Sequence, residues 1–161
     1  MLTGIREFVA NKIENRGRFL SSKELTELEK QFKQDQVRLE AAQGLHGNIN
    51  QLKEETVGII SQKFLVPSGS NSQEDLEFVR NIINWMLVTI TYAILAEDTN
   101  ILDENVLNGL QESLYAQNHS PDWYIEALNY IKIHHGLKDE SKEQVNTYID
   151  YLISALNSPQ K

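Results

Sequence analysis

One stretch, residues 72–97, limits the fold more than any other part of the sequence. Ser72, with Asp75 three residues later, predicts the start of a helix there. Its apolar side chains cover more than half of the helix circumference: Leu76, Val79, Ile82, Ile83, Met86, Leu87, Ile90 and Ile94. A helix that is apolar on most sides has to be surrounded by other elements. The sequence therefore predicts a buried helix with several partners.

This helix is not expected to cross a membrane. Its most apolar part, residues 82–96, is shorter than the ~20 residues that a membrane span requires. Asn81 and Asn84 also lie at its start. The N-terminus shows no long apolar core followed by a cleavage site, so no secretory signal is expected. The absence of cysteine fits a reducing compartment, and we expect a cytoplasmic protein.

The sequence before residue 66 repeats the helical spacing, and no alternating strand pattern persists. Ser21 and Glu24 form a capping box that opens the second of four predicted helices. Gly47 and Asn48 predict a break between the third and the fourth. The apolar stripes of the four helices are Ile5, Phe8, Val9 and Ile13; Leu25, Leu28 and Phe32; Val37, Ala41 and Leu45; and Ile49, Leu52, Ile59, Ile60 and Phe64.

After the long helix, further helices are predicted over residues 102–114, from Pro121 to Gly136, and over residues 145–156. Ser120 before Pro121 is a typical helix entry, and Gly136 a typical stop. The prediction is therefore an all-α fold of about eight helices in one domain. Unequal helices around one nearly apolar helix suit a globin better than an up-down bundle.

We divide the domain, residues 1–161, into two parts. Residues 1–34 form an N-terminal helical pair that a minimal globin would not need, and residues 35–161 form the globin-like core. The pair has an apolar stripe of its own, which needs a surface to cover it. Docking on another subunit is one way to bury it.

Several classes of function are excluded by composition and motifs. The net charge of −8 argues against a protein that tracks nucleic-acid phosphates. Without cysteine there are no disulfides, thiolate metal sites or cysteine nucleophiles. No phosphate loop, zinc-protease motif or nucleophile elbow occurs. Residues 103–115, where a globin would carry its haem ligand, contain no histidine. We expect neither an enzyme nor a metal site.

Three blocks of sequence resemble the β subunits of phycobiliproteins. They read RGRFLSS at residues 16–22, TYAILAED at residues 91–98, and ILDENVLNGL at residues 101–110. Their order and spacing match along the whole chain. The resemblance implies a globin-like fold with an extra N-terminal helical hairpin, and a cyanobacterial or red-algal type of origin.

The resemblance also shows what this chain lacks. The family attaches its bilin to a cysteine near the start of the long helix and holds it with a following arginine and aspartate. Counted back from Thr91, these positions fall on Val79, Asn81 and Ile82. A shift by one residue would put Phe78 at the cysteine and would restore Arg80 and Asn81 to the polar positions. Either register removes the thiol and the carboxylate.

We therefore predict a vestigial bilin pocket at Val79, Arg80, Asn81, Ile82 and Trp85. A covalent bilin is excluded, and a non-covalent bilin is the alternative. The old pocket is expected to be packed with hydrocarbon.

The resemblance further implies a subunit interface. In the family, an aspartate of the hairpin pairs with an arginine on the partner's long helix. Here the acid is kept as Glu14, while the arginine position is Val88. The remaining predicted interface residues are Ile5, Phe8, Val9, Phe19 and Tyr92. We expect a heterodimer with a related subunit, and a homodimer as the second choice.

Three functions fit these observations. The first is a pigment-free relative similar to the bilin biosynthesis-associated globins, which binds a partner globin, a bilin intermediate or bilin-making enzymes. The second is a structural or regulatory component of the phycobilisome. The third is a non-covalent carrier of a bilin or a haem. No nucleic acid is expected as a partner.

Overall fold

The computed structural model describes Glu7 and residues 21–69 and 72–158. These residues form helices and no strand, which confirms the all-α prediction. The helices are α1 (Ser22–Ile60), α2 (Val66–Ser68), α3 (Gln73–Ala96), α4 (Asn100–Leu102), α5 (Leu110–Ala116), α6 (Pro121–His134) and α7 (Asp139–Asn157), with π-helical segments at Ser61–Leu65 and Asp103–Leu107. The predicted hairpin residues Ile5, Phe8, Val9, Glu14 and Phe19 lie outside the described part.

Helix α1 is one helix of 39 residues where the sequence predicted three. The capping box is confirmed: the Glu24 amide donates to the Ser21 hydroxyl, and the Ser21 amide donates to the Glu24 carboxylate. The predicted break at Gly47 and Asn48 is wrong, because the helix continues through both residues. The proposed boundary between residues 34 and 35 also lies inside α1, and that division stays a prediction.

Gly44 and Asn48, one turn apart on α1, form the contact with the corner between α6 and α7, and Asn48 is one of the two residues at which the break was predicted. A Cβ atom on Gly44 would lie 3.0 Å from Leu137 Cδ2. One turn later, the Asn48 side-chain amide donates to the His135 carbonyl at 2.9 Å. A small residue and a short amide therefore let this corner approach the middle of α1.

Replacing Gly44 with Val should destabilise the fold by about 1–3 kcal/mol, because the added carbons overlap the Leu137 side chain. Gly47→Val is the matched control, since a Cβ atom there meets nothing within 4 Å. Urea denaturation of both variants measures the difference. Equal stability of the two would contradict the close approach.

Helix α3 is the buried helix that the sequence predicted. The Asp75 amide donates to the Ser72 hydroxyl at its start, as expected. Its core residues are Val79, Ile83, Met86, Leu87, Ile90, Ala93 and Ile94, each at most 2% exposed. Among the described helices, α3 is long and apolar enough to cross a membrane by length and composition alone. It packs against α1 and α7. A helix in the core of a folded domain can have the same length and apolar composition as a membrane span.

The predicted helix over residues 102–114 is wrong as one element. It is divided into α4, a π-helical segment and α5. The division lies at Asn108, which is extended, and Gly109, which has a φ of 80°. Glycine adopts this left-handed conformation at no steric cost. The Ser120–Pro121 entry to α6 and the stop at Gly136, with a φ of 79°, are confirmed.

Candidate functional site

The two apolar positions of the predicted bilin pocket lie on the packed side of α3. Val79 is 0% exposed and belongs to the hydrophobic core, and Ile82 is half-buried against it. Hydrocarbon at these positions makes core contacts. Their assignment to a former pocket stays a prediction.

The polar positions of the predicted pocket have other partners. Arg80 donates to Glu54 of α1 through two nitrogens, Nε to Oε1 at 3.0 Å and Nη2 to Oε2 at 3.3 Å. This bond lowers the pKa of the Glu54 carboxyl and raises that of Arg80. Asn81 is exposed. Trp85 is half exposed, and its indole N–H donates to the Asn105 carbonyl.

A buried polar chain next to this region was not predicted. His119, in the turn before α6, has a side chain that is 0% exposed. Its Nε2 atom donates to the Asp75 carboxylate at 3.1 Å, and a hydrogen bond of 3.1 Å joins its Nδ1 atom to the Tyr124 hydroxyl. This series of hydrogen-bonded side chains connects the start of α3 to the start of α6.

The two ends of this chain are held in defined protonation states. The Ser72 hydroxyl, and after it the His119 ring, lower the pKa of the Asp75 carboxyl, which is therefore ionised at neutral pH. Burial raises the pKa of Tyr124 well above its usual range, so it stays a neutral phenol. Because the ionised Asp75 carboxylate can only accept a hydrogen bond, the His119 Nε2 atom is the donor.

Aromatic rings surround the histidine. Phe78 meets the imidazole edge-on with ring centroids 5.2 Å apart, and Trp123 lies 4.8 Å from it. Trp123 also stacks on Phe64 at 5.4 Å. Phe78, one of the two alternative positions predicted to correspond to the family's attachment cysteine, is a member of this aromatic cluster. No feature of the sequence around His119 pointed to Asp75, which lies 44 residues earlier.

The two predicted interface residues that the structure describes line one groove. Val88 is half-buried, and Tyr92 is 62% exposed. They lie on α3 opposite residues of α1, around a cavity of about 290 Å³. The other residues of this apolar groove are Leu39, Ala42, Gln43, His46, Thr91 and Leu95. The surface is mainly hydrocarbon with one large exposed aromatic ring.

Comparison with known proteins agrees with this fold. A protein-family model described as phycobilisome protein matches residues 9–156. The chain is 32% identical to the phycoerythrocyanin alpha chain of Nostoc sp., over 88% of this chain and 91% of that relative. It is 28% identical to the allophycocyanin beta chain of Synechococcus sp. and 29% to that of Arthrospira platensis, each over 92% of this chain and 96% of the relative.

The helical fold and these matches define a globin-like protein of the phycobiliprotein class. The chain belongs to the phycobilisome protein family. The resemblance seen in the sequence is therefore confirmed. Members of this family are pigment-binding or structural proteins, in agreement with the prediction that the chain is not an enzyme. Because the sequence has no cysteine, it has no site for covalent attachment of a bilin.

Proposed function

We propose that the chain is a pigment-free binding subunit that pairs with a related globin-like subunit and supports bilin biosynthesis. The observation that carries this proposal is the apolar groove between α1 and α3, with Tyr92 62% exposed at its surface. A family member that cannot fix a bilin covalently acts through what it binds. The relatives with alpha and beta chain names support a related subunit as the partner.

The groove has the chemistry of a docking surface. Its exposed surface is mostly hydrocarbon, and interface centres are poor in charge and rich in aromatic residues such as Tyr92. An apolar side chain from a partner would displace water from this hydrocarbon, which favours association. We assign the groove to the apolar face of a partner's N-terminal hairpin, the counterpart of Ile5, Phe8 and Val9.

A related subunit is a better partner than a second copy of this chain. In a self-pair, Glu14 of each copy would face Val88 of the other copy instead of the arginine that the family resemblance implies. A partner that carries the arginine would restore one pair. Such an ion pair contributes only ~0–1 kcal/mol, so it governs partner choice more than affinity. We propose that the pair of subunits also binds enzymes of bilin synthesis in the cytoplasm.

Replacing Tyr92 with Glu should weaken subunit association by about 10- to 100-fold, because a carboxylate would lose hydration in the groove. The chain is purified from cells that make haem and a bilin, and its mass in solution is measured over a concentration series. Tyr115→Glu is the matched control, since its ring is 81% exposed on α5, away from the groove. Equal effects of both variants, or none, would contradict the groove as the interface.

The absorption spectrum of the same preparation separates the other functions. A colourless dimer supports the proposal. A visible band that is lost on denaturation in organic solvent would identify a non-covalent carrier of a bilin or a haem. Co-sedimentation with intact phycobilisomes would identify a structural component instead.

A further inference from the structure

A second cavity, of about 510 Å³, lies on a different part of the surface and is lined by charged side chains. One wall is α1, which contributes Lys30, Lys33 and Arg38. The opposite wall is formed by Glu97, at the end of α3, and by two glutamates of the first turns of α7, Glu140 and Glu143. The cavity is therefore basic on one side and acidic on the other.

Arg38 is held in place as a buried cation. Its side chain is 8% exposed, and its Nη2 atom donates to the Asp35 carboxylate, which is 5% exposed. The Gln31 side chain donates to the same carboxylate oxygen at 3.1 Å. The guanidinium therefore has a fixed orientation, and it lines the cavity. A planar guanidinium fixed in this way is suited to binding a carboxylate.

Glu97 contacts this guanidinium from the cavity side. The Glu97 carboxylate lies 3.4 Å from Arg38 Nη1, and its side chain is 67% exposed. Its backbone is left-handed, with a φ of 54°, a conformation that costs a non-glycine residue free energy. A carboxylate that is two-thirds exposed forms a largely solvated ion pair, and such a pair is weak. A carboxylate from outside can therefore replace it on Arg38.

The acidic wall supplies the second half of a site. Glu140 and Glu143 both have exposed side chains at the start of α7. Once Glu97 is released from Arg38, three carboxylates face the cavity, and a cation is the group that they favour.

We propose that this cavity binds a small zwitterion, with its carboxylate on Arg38 and its basic group against Glu140 and Glu143. Free arginine carries both groups, and so does the carboxyl terminus of a peptide that ends in arginine. This inference does not depend on the apolar groove or on the partner subunit.

The test is an NMR titration of the full ¹⁵N-labelled chain. L-arginine should shift the backbone amides near Arg38 and Glu143 with a Kd of about 1 mM. Agmatine lacks the carboxylate and citrulline lacks the positive side chain, so each should bind at least about tenfold more weakly. The same response to all three compounds, or no response to arginine, would overturn the proposal.

The variant pair Glu140→Gln and Glu143→Gln, made together, should reduce arginine binding by about tenfold or more. Glu104→Gln with Glu112→Gln is the matched control, since both glutamates are exposed elsewhere. Unchanged binding in the first double variant contradicts the acidic wall. A tripeptide ending in arginine, with its carboxyl terminus free or amidated, separates the two sources: tighter binding of the free form than of arginine identifies a peptide terminus, and otherwise the ligand is the amino acid.

Discussion

Replacing Arg38 with Met is expected to lower the free energy of unfolding by about 3–5 kcal/mol. The guanidinium and the Asp35 carboxylate form an ion pair in which both side chains are at least nine-tenths buried. Removal of the cation leaves the Asp35 carboxylate, which is only 5% exposed, without its buried partner. The cost of that unpaired charge exceeds the cost of the lost contact itself.

A second substitution distinguishes this cause from a packing defect. The double variant Asp35→Leu with Arg38→Met removes both charges, so it should regain most of the lost free energy of unfolding. Lys33→Met is the control, because its ion pair with Glu29 is exposed at both ends and contributes less than about 1 kcal/mol. Urea denaturation at pH 7 measures all four proteins. If Arg38→Met loses less free energy of unfolding than Lys33→Met, the Asp35–Arg38 pair is hydrated.

The helix ends were predictable from the sequence because their signals are local. A serine three residues before an acidic residue marks the starts of α1 and α3, and Gly136 ends the turn after α6. In each case the residue satisfies backbone groups within one turn of itself. Nothing elsewhere in the chain is needed to interpret such a signal.

The interior of α1 was misinterpreted because its signal depends on a distant segment. A glycine inside a helix costs only about 1 kcal/mol, so it does not by itself end a helix. At Asn48, one of the two residues of the wrongly predicted break, the side chain contacts the His135 carbonyl, 87 residues later. No periodicity within α1 contains that information.

The candidate sites also contain some features that the sequence predicted and others that depend on distant parts of the chain. The family resemblance assigned Val88 and Tyr92 to a subunit interface, and these two residues, four apart on one face of α3, both line the groove. It did not give the α1 residues across that groove. It also missed the Asp35–Arg38 pair, because residues three apart on a helix are usually a solvated pair, and the burial that makes this one expensive comes from other elements.

Replacing His119 with Leu is expected to lower the free energy of unfolding by about 2–4 kcal/mol. The substitution leaves the Tyr124 hydroxyl buried without its hydrogen bond, and the Tyr124 ring is 0% exposed. It also removes a hydrogen bond to the ionised Asp75 carboxylate. Leucine keeps the apolar contacts with the aromatic cluster, so the loss reports mainly on the two hydrogen bonds.

The measurement belongs at pH 7, because the sign of the Asp75 contribution depends on pH. The fold lowers the pKa of this carboxyl, so its stabilisation is present above the unfolded pKa, near 4. It is lost as the pH falls through the lower folded value. Acid unfolding would mix that loss with the effect of the substitution.

The controls separate the hydroxyl from the ring. Adding Tyr124→Phe to His119→Leu removes the unpaired hydroxyl, so the double variant should regain about 1–2 kcal/mol. Glu112→Leu, at an exposed position on α5 outside the groove, should change stability by less than about 0.5 kcal/mol. If the double variant is less stable than His119→Leu alone, the tyrosine hydroxyl has another partner, and the polar chain does not fasten α3 to α6.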